Sequence, residues 1–320
     1  MESEVSVAIV TDSAAGIPTE LLQQLSIEVV PYWVHMGRES YISGLTMDPP
    51  TFFARLRADP ELEVHTGVPA VAKFQDIYQR LATKAKGIVS IHLAGKQSGT
   101  CSAAEVAGQS CSVPVVVIDT GTTAMAEGFV AVEAAREAAK GATLEQVVAK
   151  AKSIVPNVGL LALLESVSYA LKGGRLSSAA GKVGSLLKIQ PLVKVEGNRV
   201  SVSGQVRRRS KGIEALIGRT VDEVQDDPTH LTVHYAEDES EGQGLLAALK
   251  ARINCVESYL TRVPVELGVH AGPGSIGVAY YVERESVGLV QQIEQQLERL
   301  GAQAKELGTH AKEAIRSRMP

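Results

Sequence analysis

Through most of its length the chain alternates short β-branched runs, each closing on a glycine or polar residue, with stretches of helical periodicity. Few folds accept that pattern other than strand–helix–strand units on a largely parallel sheet. Strands are expected at Val5 to Val10, Glu28 to Val34, Gly87 to Leu93, Val115 to Asp119 and Val158 to Leu163. Helices are expected near Thr19 to Leu25, Val71 to Ala85, Gly99 to Ala107, Ala124 to Lys140 and Leu144 to Ile154. Beyond Leu171 to Gly174 the character changes. A serine-capped helix at Ser177 to Leu187 leads into a hairpin, Ile189 to Val195 and Arg199 to Ser203 around Glu196-Gly197-Asn198, and antiparallel pairing begins. Strands at Leu231 to Tyr235, Val263 to Val269 and Gly277 to Val282 then alternate with helices at Ile213 to Val224, Gly242 to Arg252 and Val287 to Leu300, and the Ala/Lys/Glu-rich C-terminal stretch reads as a solvated helix. A chain of 320 residues tends to divide. The expected fold class is therefore α/β in two domains: 1–165, three layers around a mostly parallel sheet, and 166–320, a smaller mixed sheet with helices.

Charge and composition remove several classes of function. With 32 Lys plus Arg against 36 Asp plus Glu, the net charge is -4, so no global basic field gathers phosphate backbones. One Trp, eight Tyr and four Phe leave little material for base-stacking platforms, and a nucleic-acid partner is not expected. The longest uncharged run, Leu267 to Val282, is broken by four glycines and a proline and is too short to span a bilayer. The acidic start Met1-Glu2-Ser3-Glu4 is unlike a secretory signal. Cys101, Cys111 and Cys255 are odd in number and lack zinc or redox spacing, so a reducing cytoplasm is the expected location.

Several motif-like strings fail on context. Gly272-Pro273-Gly274-Ser275-Ile276-Gly277 has the letters of a dinucleotide fingerprint but runs into β-type sequence instead of opening a helix. Gly242-x-Gly244-x-x-Ala247 opens a helix, yet Glu237, Asp238, Glu239 and Glu241 ahead of it would repel a pyrophosphate. Gly95 to Thr100 uses phosphate-loop residue types outside the Walker order. His230 and His234, four apart on a strand, are separated by about 13 Å and cannot share a metal. No Gly-x-Ser-x-Gly elbow occurs.

What survives is a set of polar spots in turns and glycine-rich bends, where an α/β fold keeps its ligand. Thr11-Asp12-Ser13 follows the first strand. Thr66-Gly67-Val68-Pro69 precedes a helix, and Ser98-Gly99-Thr100 opens one, where free N–H groups favour a negative ligand. Gly173-Gly174-Arg175 offers close backbone approach and a guanidinium fork. His270, read as the end of a strand, enters the bend Ala271-Gly272-Pro273-Gly274. Each has a plain structural reading as well, in turn amides, helix caps, a surface ion pair or a satisfied buried histidine. Together they describe an oxyanion receptor.

In order and spacing, Val10-Thr11-Asp12-Ser13, Thr66-x-x-Pro69, Ser98-Gly99-Thr100, Lys172-Gly173-Gly174-Arg175-Leu176-Ser177, Ile189-Gln190-Pro191-Leu192 and His270-Ala271-Gly272-Pro273-Gly274 resemble the DegV family over nearly the whole chain. The resemblance implies two α/β domains with a ligand between them, no cofactor or metal, and no catalysis by this chain. It also implies a bound long-chain fatty acid whose carboxylate is held by Thr66, Ser98, Arg175 and His270 and presented to a separate kinase subunit for acyl-phosphate formation. Asp12, Ser13, Gly67, Gly99 and Thr100 fall near the ligand in that scheme. Departures are Gly67 where a second hydroxyl is usual, Leu93-Ala94 in place of paired serines, and Cys101 for an aromatic. The dense basic run Arg207-Arg208-Arg209-Ser210-Lys211 suggests docking of an acidic partner surface through Arg207 and Arg209. A monomer is expected. The alternative in the enzyme class is a hydrolase in which His270 activates Ser98 on a small acyl substrate.

Overall fold

The structure, a computed structural model, describes residues 5–176 and 189–284. The chain runs β1 (Val5–Asp12), α1 (Thr19–Gln24), β2 (Glu28–Val30), β3 (Trp33–Met36), β4 (Glu39–Ile42), α2 (Pro49–Ala58), β5 (Val64–Gly67), α3 (Val71–Ala82), β6 (Ala85–His92), α4 (Thr100–Gly108) and β7 (Val115–Asp119). It continues through α5 (Met125–Ala139), α6 (Leu144–Ile154), β8 (Val158–Leu163), α7 (Ser168–Lys172), β9 (Gln190–Glu196) and β10 (Arg199–Val206). The last described elements are α8 (Arg209–Val224), β11 (Thr229–Tyr235), α9 (Glu239–Lys250), β12 (Cys255–Arg262), α10 (Val265–Ala271) and β13 (Ile276–Val282).

A wholly parallel sheet, β2-β1-β6-β7, carries helices on both faces. The alternation of β1 and β6 explains the three layers. Val7, Ile9, Val89 and Ile91 pack toward α5 and α6, whereas Ala8, Val10 and Ile88 pack toward α3 and α4. A second sheet of six strands, β10-β9-β8-β13-β11-β12, is antiparallel except for β11 and β12. A small antiparallel sheet, β4-β3-β5, packs Val34 and Met36 onto α2 and α10. The α/β class and the mixed second sheet agree with the sequence reading.

Three details correct it. Val158 to Leu163, read as the last strand of the first domain, pairs with β13 and β9 inside the six-stranded sheet, so that sheet begins ahead of residue 165. Helix α5 is buried almost throughout because it serves both sheets: Phe129 and its neighbours share one core with Ile91 of the first sheet and with Ala279 and Tyr281 of the second. Accordingly Met1–Glu283 form one compact unit. The strand expected at Val263 to Val269 is helix α10, which starts at Pro264, and the strand in that region is β12. The expected helices at 177–187 and 287–300, and the C-terminal stretch, lie outside the described residues.

Candidate functional site

The cavity lies between the two large sheets and has a volume of about 160 Å³. Its wall is largely aliphatic, with Leu93 and Ala94 from the loop after β6 and Leu160, Ala162, Val193 and Val195 from the second sheet. Thr66, Ser98, Arg175 and His270, gathered from four distant segments, all line it.

Each is placed by local chemistry. Thr66 pairs with Val34 across β5 and β3 and sits on the inward side of the small sheet. It does not cap α3, whose N-cap is Ala70. Ser98 follows a turn closed by Gln97 N and Ser98 N donating to Ala94 O at 2.9 and 3.2 Å. Its Oγ lies 2.6 Å from Tyr32 Oη and 2.8 Å from Thr100 Oγ1, and it accepts from Thr100 N at 3.3 Å.

Arg175 is delivered by a Schellman ending of α7: Gly174 N donates to Leu171 O and Arg175 N to Ala170 O, with Gly174 in the left-handed region at φ +69°. The twin glycines thus have separate reasons. Gly174 makes the turn, and Gly173 clears space for His270, because a methyl group there would lie 2.2 Å from His270 Nδ1. Arg175 Nη1 donates to Gly173 O at 2.6 Å.

His270 is not at a strand end but in the last turn of α10, one turn beyond Glu266. Its Nδ1 is buried with no hydrogen-bond partner among the described residues. Burial, the nearby Arg175 and His65 push its pKa down to about 3, so the ring is neutral at physiological pH. Among the described residues lining the cavity, Arg175 is the sole Lys or Arg.

The residues expected near the ligand lie behind this wall. Asp12 accepts from Ala14 N at 3.1 Å and from His92 Nδ1 at 2.9 Å. Ser13 donates to Glu266 and accepts from Tyr32 N at 3.0 Å. Thr100 is fully buried and hydrogen-bonds to Tyr32. Gly99 is the N-cap of α4, and Gly67 faces the other side of its strand, where a Cβ would meet His35 and Trp33. None of these five lines the cavity. Ser13 thus ties Tyr32 to Glu266, while Asp12 holds the turn after β1 and His92.

Sequence reasoning passed over Tyr32, Glu266 and His234, all in the wall. Burial raises the pKa of Glu266 against the hydroxyls of Ser13 and Ser43. Burial lowers that of His234 to about 4, and its Nε2 accepts from Met125 N at 3.1 Å. The usable signal was the i, i+4 spacing of Glu266 and His270 on one helix face. Two groups could offer metal ligands, Asp12 with His92 and Glu127, and Glu133 with His230 and Glu257. Both rings are already committed at each nitrogen, His92 to Asp12 and Ser90, His230 to Glu257 and Glu283. Arg209 is likewise engaged, its fork holding Glu241 at 2.9 and 2.6 Å, whereas Arg207 is exposed.

The family model described as "Uncharacterised protein, DegV family" matches residues 6–283. The chain belongs to the DegV family. It is similar to a DegV domain-containing protein of Streptomyces coelicolor, 33% identical over 274 residues that make up 85% of this chain and 97% of that one. Protein DegV of Bacillus subtilis is 28% identical over 278 residues, 86% of this chain and 99% of that one. A crystal structure of the Bacillus subtilis DegV, called there a fatty acid binding protein, matches with TM-score 0.77 at 26% identity, covering 87% of this chain and 100% of that one. A DegV family protein from Thermus thermophilus, solved under the heading of fatty acid binding, shares the fold with TM-score 0.81 at 24% identity, covering 87% and 99%.

Proposed function

We propose that this DegV protein binds a long-chain fatty acid, holds its carboxylate on Thr66, Ser98, Arg175 and His270, and presents that head group to a separate kinase subunit for acyl-phosphate formation. The observation that carries the reading is a largely aliphatic cavity whose wall brings together, from four separate segments, the guanidinium of Arg175, the neutral imidazole of His270 and the hydroxyls of Thr66 and Ser98, with Tyr32, His234 and Glu266 also in the wall. An ionised carboxylate is costly to bury unless it is paired and hydrogen-bonded, and these groups supply what it needs. The tail supplies affinity. At about 0.8 kcal/mol per buried methylene, a long acyl chain contributes on the order of 10 kcal/mol before the costs of association. The solved relatives described as fatty acid binding proteins support the same ligand class.

The kinase step rests on family resemblance and on the exposed Arg207, with Arg209 a weaker docking contact because Glu241 neutralises it. The hydrolase alternative has little support. Ser98 hydrogen-bonds to Tyr32 and Thr100, and an imidazole with a pKa near 3 is a poor general base. Extraction of the purified protein with organic solvent, followed by mass spectrometry, tests the ligand class. A long-chain fatty acid at about one per chain is expected, and its absence, with no uptake of added oleate, contradicts the reading.

A further inference from the structure

The cavity separates the two large sheets, so any ligand enclosed there must cross a boundary that opens. On one side the sheets are joined by α5, whose Phe129 lies in a core shared with both. The tip of the β9–β10 hairpin makes a second link between the two sheets. Its turn, Gly197-Asn198, has φ of +54° and +66°, the two-residue geometry that suits the twist of the strands.

Asn198 crosses to the loops that follow β6 and β7 in the first sheet. Its N–H donates to Gly121 O at 2.8 Å. Its side-chain Oδ1 accepts from Lys96 N at 3.1 Å, and its Nδ2 donates to Asp119 Oδ2 at 3.2 Å. Its carbonyl accepts from Gln97 Nε2 at 3.2 Å. The segments tied together here are cavity wall: Ala94 and Gln97 on one side, Val195 and Val200 on the other. Strand β10 is the sheet edge, paired with β9 alone; below the tip, Val195 and Val200 pack into the core shared by the two sheets and Thr122 Oγ1 donates to Val195 O at 3.5 Å.

We propose that Asn198 is a latch across the mouth of the cleft, and that ligand enters and leaves when this residue releases the first sheet. The proposal rests on the fatty-acid-binding reading for the identity of the ligand but not for the existence of the latch. Asn198 is a positioning residue. It touches no ligand and acts on the rate at which the wall parts.

The test uses the full-length protein and the variant Asn198→Gly. Glycine keeps the left-handed turn and both backbone bonds while deleting the contacts to Lys96 and Asp119. Association and dissociation are followed by stopped-flow fluorescence with two probes, cis-parinaric acid and the amphipathic aromatic sulfonate anilinonaphthalene sulfonate. Loss of two side-chain hydrogen bonds of ordinary strength should raise both rate constants about tenfold. The dissociation constant should change by less than about threefold, because open and closed forms shift alike with and without ligand. A residue that merely shaped the wall would change affinity instead. Unchanged rates for both probes in Asn198→Gly overturn the latch. Faster exchange of the dye with no uptake of parinarate leaves the latch standing and removes the fatty-acid reading.

Discussion

Replacing Arg175 with alanine should cost more binding energy than any other single change in the cavity wall. The guanidinium is the sole Lys or Arg side chain among the described residues lining the cavity, and burial holds His270 neutral. In Arg175→Ala a bound carboxylate keeps only neutral donors, Thr66, Ser98 and His270, in a wall that is mostly aliphatic. Truncating one partner of a desolvated charge pair costs about 2 to 5 kcal/mol. At 1.4 kcal/mol per tenfold, the dissociation constant for oleate rises roughly 30-fold to a few thousandfold. The fold loses one bond from Nη1 to Gly173 O on a partly exposed residue, so the melting curve should barely move. Isothermal titration calorimetry with oleate below its micelle concentration measures the effect, and Arg175→Lys, which keeps charge without the fork, should fall between the two. An alanine variant that folds normally and binds within twofold of wild type refutes the reasoning.

Gly173→Ala introduces a methyl 2.2 Å from His270 Nδ1, forcing the ring aside. The expected result is about tenfold weaker oleate binding in calorimetry, and equal affinity contradicts the assigned role of His270. A second prediction concerns acid. His234 has a folded pKa near 4, below its usual value, so the stability gained from its neutral form is present above pH 6.5 and is lost as pH falls toward 4. The stability difference between wild type and His234→Gln, from urea unfolding, should shrink by about 2 kcal/mol between pH 7 and pH 5. A constant difference would show that His234 is not buried in the neutral form. Finally, Arg207→Glu should slow phosphorylation of bound acid by the kinase subunit while leaving oleate affinity unchanged. Reversal at Arg209 should also lower stability, because it leaves Glu241 facing a like charge. Equal phosphorylation rates in Arg207→Glu would remove the docking role.

The parallel sheet was legible because its strands are apolar on both faces and its helices carry ordinary start and stop signals. Helix α6, for example, runs from Leu144 to Ile154 as expected, behind a Thr143 and Gln146 capping box. The excursion from β3 to β5 was not read as separate elements. Its strands are only four residues each, half-exposed, and α2 begins at two prolines that read as a loop. Val263 to Val269 was misread because its β-branched alternation outweighed Pro264, whereas packing of Gly268 against Phe52 and Phe53 selects the helix. β12, an edge strand bearing Glu257 and Arg262, lacks a clean apolar face. Within the site, all four expected head-group residues line the cavity; Glu266 was missed with the helix that spaces it i, i+4 from His270, and Tyr32 and His234 because only the tertiary fold turns them toward it.

The most direct test of the account is carbon NMR of oleate labelled at its carboxyl carbon, bound to the protein and titrated with acid. A carboxylate seated against Arg175 gives one bound resonance at one per chain that stays ionised well below the range in which a solvated carboxyl, with a pKa of about 4.3, takes up its proton. A resonance that titrates as in free solution, or one that is the same in wild type and Arg175→Ala, would place the head group elsewhere and contradict the account.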